Sequence, residues 1–165
     1  MLKRQLDIFR HKTYYADMHV YIATDHAGFT LKETLVPFIQ GLGHEVTDCG
    51  AKAYDETDDY PDFIKKAAQE VSLNPTKSRA IILGGSGQGE AIVANRFPHI
   101  RAIIYYGGTL DVIVLGREHN DANALSLGAR FITEKDARTA VKLFLETPFS
   151  NDERHARRIG KLRKL

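Results

Sequence analysis

RAIILGGSGQGEAIVAN, residues 79–95, holds the decisive pattern of the chain. RAIILG is an apolar, β-branched run too short for a helix, and a cluster of glycines follows it directly. The chain then continues as EAIVAN, which has helical character. A buried strand that turns sharply into a helix is half of a parallel β/α unit.

The same alternation extends outward in both directions. HVYIAT (19–24), HEVTDC (44–49), IRAIIYY (100–106) and ALSLGA (124–129) are predicted as further strands. Helices are expected over 28–41, 63–71, 90–95, near 110–116 and over 134–146, followed by a basic helical tail. Five strands alternating with helices predict an α/β fold, a five-stranded parallel sheet with helices on both faces. Ligands of such sheets bind beyond the carboxyl ends of the strands, where the strand order reverses. TDHAG and GGSGQGE, which follow the first and third strands, are therefore expected to be neighbours.

Composition narrows the class. The chain has 165 residues, 43% hydrophobic and 27% charged, as expected of one globular domain. Cys49 is the only cysteine, so no internal disulfide is expected, and the sequence has neither a secretory pattern nor a long apolar span. A cytoplasmic location is the default expectation. Residues 18–153 hold 13 basic and 19 acidic residues, whereas 154–165 hold six Lys or Arg and no acid. An acidic body argues against nucleic-acid binding spread over it, the lack of a long apolar run argues against a membrane partner, and the basic tail is expected to meet an anion or an acidic surface. Residues 1–17 have no clear period and are expected to be an extension without a functional motif. Met18, directly before a strong strand, is a candidate start of the functional domain, 18–165.

GGSGQGE is not a nucleotide loop. A Walker loop requires Gly-Lys-Ser/Thr, and the dinucleotide fingerprint requires its own glycine spacing after the first strand. What remains is a set of backbone N–H groups, over Gly85, Ser86, Gly87, Gln88 and Gly89, near a helix N-terminus, able to hold an anion or a developing oxyanion. Glu90 stands next to them. A carboxylate beside oxyanion donors fits proton abstraction next to a carbonyl, although an acid in a first helical turn also simply complements the helix dipole. Asp25 and His26 place a carboxylate and an imidazole at the same edge. REHNDAN (117–123) is dense in hydrogen-bonding side chains, and Arg154 and Arg158 lie one helical turn apart, as two ligands of one phosphate would.

Taken together, IATDHAG, DYPD (59–62), GGSGQGE with ANR, REHNDAN with ALSLGAR, and RHARR resemble, in order and spacing, the type B ribose-5-phosphate isomerases and their hexose-phosphate relatives. The resemblance covers Met18 to about Leu162. It implies a Rossmann-like, cofactor-free and metal-free aldose–ketose isomerase, working as a homodimer or dimer of dimers through a cis-enediol. Glu90 then matches the base that moves a proton between C2 and C1, and His119 matches the ring-opening residue with Asn120 beside it. Asp25 and His26 match substrate contacts, the Gly85–Gly89 amides would hold the enediolate oxygens, and Arg130, Arg154 and Arg158 match phosphate ligands. A serine hydroxyl is too weak an acid to act as a base unaided, so Ser86 is expected to be a hydrogen-bonding residue.

The substrate expected from the resemblance is ribose 5-phosphate with ribulose 5-phosphate. The alternatives are a six-carbon phosphate (allose or galactose 6-phosphate), a phospho-accepting or phospho-ligand binding module without activity, and a metal hydrolase using Asp25, His26, His119 and Asp121. Topology adds one expectation. His119 precedes the fifth strand and so lies at the sheet edge opposite Glu90, which places the two in one site only if subunits share active sites.

Overall fold

The computed structural model describes residues 18–162 and 164, so residues 1–17 and the expectations placed on them lie outside the described residues. The strands are β1 (His19–Thr24), β2 (Glu45–Asp48), β3 (Ser78–Gly84), β4 (Ala102–Tyr105) and β5 (Ala124–Gly128). The helices are α1 (Phe29–Gly41), α2 (Tyr60–Leu73), α3 (Gln88–Ala94), α4 (Asp111–Asn120), α5 (Glu134–Glu146) and α6 (Glu153–Leu162).

All pairings are parallel, in the order β2-β1-β3-β5-β4. The chain leaves β1 toward β2 on one side and returns to place β3 on the other, so β1 and β3 flank the switch point. Their register, Thr24 opposite Leu83, brings the turns after both strands side by side. β3 and β5 are buried at every position, as the inner strands of a sheet covered on both faces must be.

Side-chain alternation divides the interior into two cores. Val20, Ile22, Ile81, Leu83, Leu125 and Leu127 face α1, α4 and α5, where they meet Leu35, Ile39, Ile113 and Phe144. Ala23, Ala80, Ile82 and Ala124 face α2 and α3, against Ile64, Ala67, Val71 and Ala94. Small residues on this second face let two helices approach the sheet closely.

Two helices run longer than their apolar periods predict. α2 begins at Tyr60 rather than Phe63, because Pro61 fits a first helical turn without forfeiting a bond. α4 continues through Asn120 and stops only where Asp121 turns left-handed, at φ 46°. Residues 117–120 are therefore helical and not loop. No described helix is long and apolar enough to cross a membrane.

Candidate active site

A cavity of about 390 Å³ opens at the switch point, lined by Asp25, His26, Ala27, Tyr60, Gly85, Ser86, Gly89, Glu90, Arg130 and Phe131. Four separate segments supply it: the end of β1, the start of α2, the β3–α3 turn and the turn after β5. Its size suits a small ligand.

The β3–α3 turn is tied down through its carbonyls. Gly84 O accepts from Ala129 N at 2.8 Å, Gly85 O from Arg130 N at 3.1 Å, and Gly87 O from Ser126 Oγ at 2.6 Å. Gly87 adopts φ 79°, a left-handed conformation that glycine takes without strain, and caps α3. Ser86 Oγ accepts from Gln88 N at 3.3 Å, so the serine braces the turn. Gln88 is exposed and, with Gly87, does not line the cavity.

Glu90 is 4% exposed. Burial pushes its carboxyl above the ordinary glutamate range and the Asp25 carboxylate adds to this, while its own backbone N–H opposes. An acid in a first helical turn that served only the helix dipole would stay in water. The carboxylate lies directly over Gly84: a β-carbon there would stand 1.8 Å from Glu90 Oε1. A glycine at 84 is thus what makes room for the Glu90 carboxylate. Arg130 reaches over the same turn, its guanidinium 3.3 Å from where a Gly85 β-carbon would be.

Asp25 Oδ1 accepts from Ala27 N at 2.9 Å, which shapes the turn after β1. His26 Nδ1 pairs with Asp58 Oδ1 at 2.7 Å, and the same oxygen accepts from His26 N at 2.9 Å. Asp58 and Tyr60 were not singled out as site residues in the sequence. Tyr60 falls inside the matched DYPD stretch, but Asp58 is one of several acids in a loop with no periodicity to rank them. Asp25, His26 and Asp58 present ligand atoms within 4.8 Å of one another, as a cation site would. His26 Nδ1 is taken up by Asp58 Oδ1 and Asp25 Oδ1 by the Ala27 amide, so His26 and Asp58 form a hydrogen-bonded pair with Asp25 beside it.

His119, Asn120, Arg154 and Arg158 lie elsewhere. Ala80 N donates to Asn123 O, which puts the end of REHNDAN level with the start of β3. Gly84 is four residues further along that strand, about 13 Å at ~3.3 Å per residue. His119 stacks on His155 of α6, ring centroids 4.1 Å apart, so the basic helix carrying Arg154 and Arg158 shares its edge.

Much of REHNDAN proves architectural. Arg117 is buried and donates to Thr147 O and Asp121 Oδ1, both at 3.0 Å, and to Ala122 O. Asp121 also pairs with Arg101 at 2.9 Å. Asn123 bridges Arg101 N and His99 O, both at 2.8 Å. The metal-hydrolase quartet of Asp25, His26, His119 and Asp121 therefore does not assemble within the chain.

A doubly wound parallel sheet with a buried carboxylate at its switch point and an arginine over the adjoining glycine turn has the make-up of a binding site for a small anionic ligand. The chain matches the Ribose/Galactose Isomerase family over residues 20–162. It is 42% identical over 142 residues to ribose-5-phosphate isomerase B of Mycolicibacterium paratuberculosis, covering 86% of this chain and 87% of that one. Among solved structures it is similar to ribose-5-phosphate isomerase B from Mycoplasma genitalium with bound ribulose-5-phosphate, with TM-score 0.85, 33% identity and coverage of 89% and 95%. The Thermotoga maritima enzyme superposes with TM-score 0.80 at 40% identity, covering 90% and 99%. This chain belongs to the Ribose/Galactose Isomerase family and is an isomerase.

Proposed function

We propose that the chain interconverts ribose 5-phosphate and ribulose 5-phosphate, with Glu90 as the base that carries a proton between C2 and C1. The observation that carries this reading is the buried Glu90 carboxylate facing a cavity shared with Asp25, His26 and Arg130. Relatives named ribose-5-phosphate isomerase B and the ribulose-5-phosphate held by the Mycoplasma genitalium structure support the substrate. Glu90 takes the C2 proton of the open-chain aldose, the amides of the Gly85–Gly89 turn that border the cavity, at Gly85, Ser86 and Gly89, hold the oxygens of the cis-enediolate, and the proton returns to C1. No cofactor or metal takes part in these steps. Residues 18–165 form the isomerase domain.

In this reading the site is completed by a second copy of the chain, which brings His119 for ring opening, Asn120 beside it, and Arg154 and Arg158 for the phosphate. Beside the cavity the rings of Tyr106 and Phe131 meet edge to face, centroids 6.3 Å apart, and both are more than half exposed, an apolar surface that a second copy would cover. Mixing Glu90→Gln with His119→Asn protein, unfolding and refolding them together, tests the sharing. With random pairing half the dimers are mixed, each with one intact site, so about a quarter of wild-type activity should return with ring-closed aldose. Recovery no greater than the mean of the parents would place both residues in one chain's site.

Arg158→Ala should weaken binding of the phosphorylated sugar by about 1.5–3 kcal/mol, tenfold or more in KM, through loss of a charged hydrogen bond. An equal loss with the unphosphorylated sugar would remove Arg158 from the phosphate site. An assay over five- and six-carbon aldose phosphates decides the substrate, and a clear preference for allose or galactose 6-phosphate would replace the five-carbon assignment.

A further inference from the structure

Asp58 belongs to the loop between β2 and α2 and reaches the cavity only through His26. One of its oxygens, Oδ1, accepts from both the His26 backbone N–H and the ring Nδ1, at 2.9 and 2.7 Å. Its other oxygen is buried with no hydrogen-bond partner among the described residues. A carboxylate only accepts, so the Nδ1 atom must carry a hydrogen. The remaining ring nitrogen, Nε2, is then the one free to meet a ligand, and the residue stands in the lining of the cavity beside Glu90.

We propose that Asp58 is a positioning residue of the isomerase: it locks the His26 ring with its proton on Nδ1 and so presents Nε2 to the substrate's oxygens. A carboxylate holding backbone and ring of one residue fixes orientation as well as tautomer, which a single contact would leave loose. The charged and titratable groups around His26 come from every neighbouring element. Asp25 approaches from β1, with Oδ2 3.9 Å from Nδ1, and the β2–α2 loop brings Asp58, Asp55 and the Tyr54 ring, its centroid 6.2 Å away. Tyr60 of α2, Glu90 of α3 and Arg130 after β5 complete the set. The Asp58 hydrogen bond leads the influences that raise the His26 pKa, Asp25 adds to it, and burial and then Arg130 oppose it.

The proposal rests on the isomerase reading, and its test separates the two. Ring nitrogen NMR of the free protein should find hydrogen on Nδ1 of His26 in the wild type and a mixture of tautomers in Asp58→Ala. Asp58→Asn, nearly isosteric, should keep the fold by circular dichroism and lower kcat at least tenfold, with the His26 ionisation in the kcat/KM profile moved to lower pH. In a His26→Gln background the same Asp58→Asn change should cost less than twofold, because the side chain it acts through is gone. An undiminished loss in that background, or wild-type kcat and pH profile in Asp58→Asn, would overturn the assignment. A wild type inert on every sugar phosphate would overturn the isomerase reading instead, and the NMR result would still decide the pairing.

Discussion

Glu90→Gln is expected to lose 10²- to 10⁴-fold in kcat, about the contribution of a positioned general base, while KM for the sugar phosphate changes little. The amide keeps the shape of the side chain and removes only its ability to accept a proton from carbon. Exchange of the C2 hydrogen with deuterated solvent should disappear with it, and exchange at the wild-type rate would sink the assignment. In the wild type, kcat/KM should fall on the acid side as Glu90 becomes protonated. Because burial raises that carboxyl, the acid limb should stand above the ordinary glutamate range.

The same shift has a consequence for stability. The folded chain binds this proton more tightly than the unfolded chain, so stability is highest below the unfolded pKa and declines as pH rises through the folded one. At neutral pH the wild type carries the cost of a buried carboxylate and Glu90→Gln does not. The variant should melt higher near pH 7, and the difference should shrink toward pH 4. A variant that melts lower at neutral pH would mean that the charged form is favourably held.

Gly84→Ala should be nearly as inactive as Glu90→Gln, with kcat down about 10²-fold or more, the scale on which a misplaced catalytic group costs rate. The added methyl would occupy the space of the Glu90 carboxyl, 1.8 Å from Oε1 and 2.1 Å from Cδ. The clash falls on the end of a flexible side chain, which can rotate away. The fold should therefore tolerate the change, with little movement of Tm, while the base leaves its station. Normal turnover in a folded Gly84→Ala protein would show that Glu90 need not stand over residue 84 to work.

Local pattern made the element order legible in the sequence. The buried runs RAIILG and ALSLG, the helix over Glu134–Glu146 and the glycine turn before Glu90 each depend on residues close along the chain. The β/α alternation places every β–α turn at one edge and so brought Asp25, His26 and Glu90 together as candidates, whereas Arg130 was named only through the family resemblance. The position of His119 at the other edge follows from the same counting.

Tertiary structure decided the rest. β5 inserts between β3 and β4, which no local period encodes, since strand pairing is settled by competition among distant segments. That insertion sets Arg130 over Gly85 and fastens the glycine turn through Ala129 and Ser126. It also converts half of REHNDAN from an expected ligand loop into framework, because Arg117 becomes buried and must be answered by Asp121 and by carbonyls. The role of a charged residue depends on whether folding removes it from water, and the sequence around it is silent on that. Asp58 is the clearest case: among the acids of an irregular loop, only its approach to His26, 32 positions earlier, separates it from its neighbours.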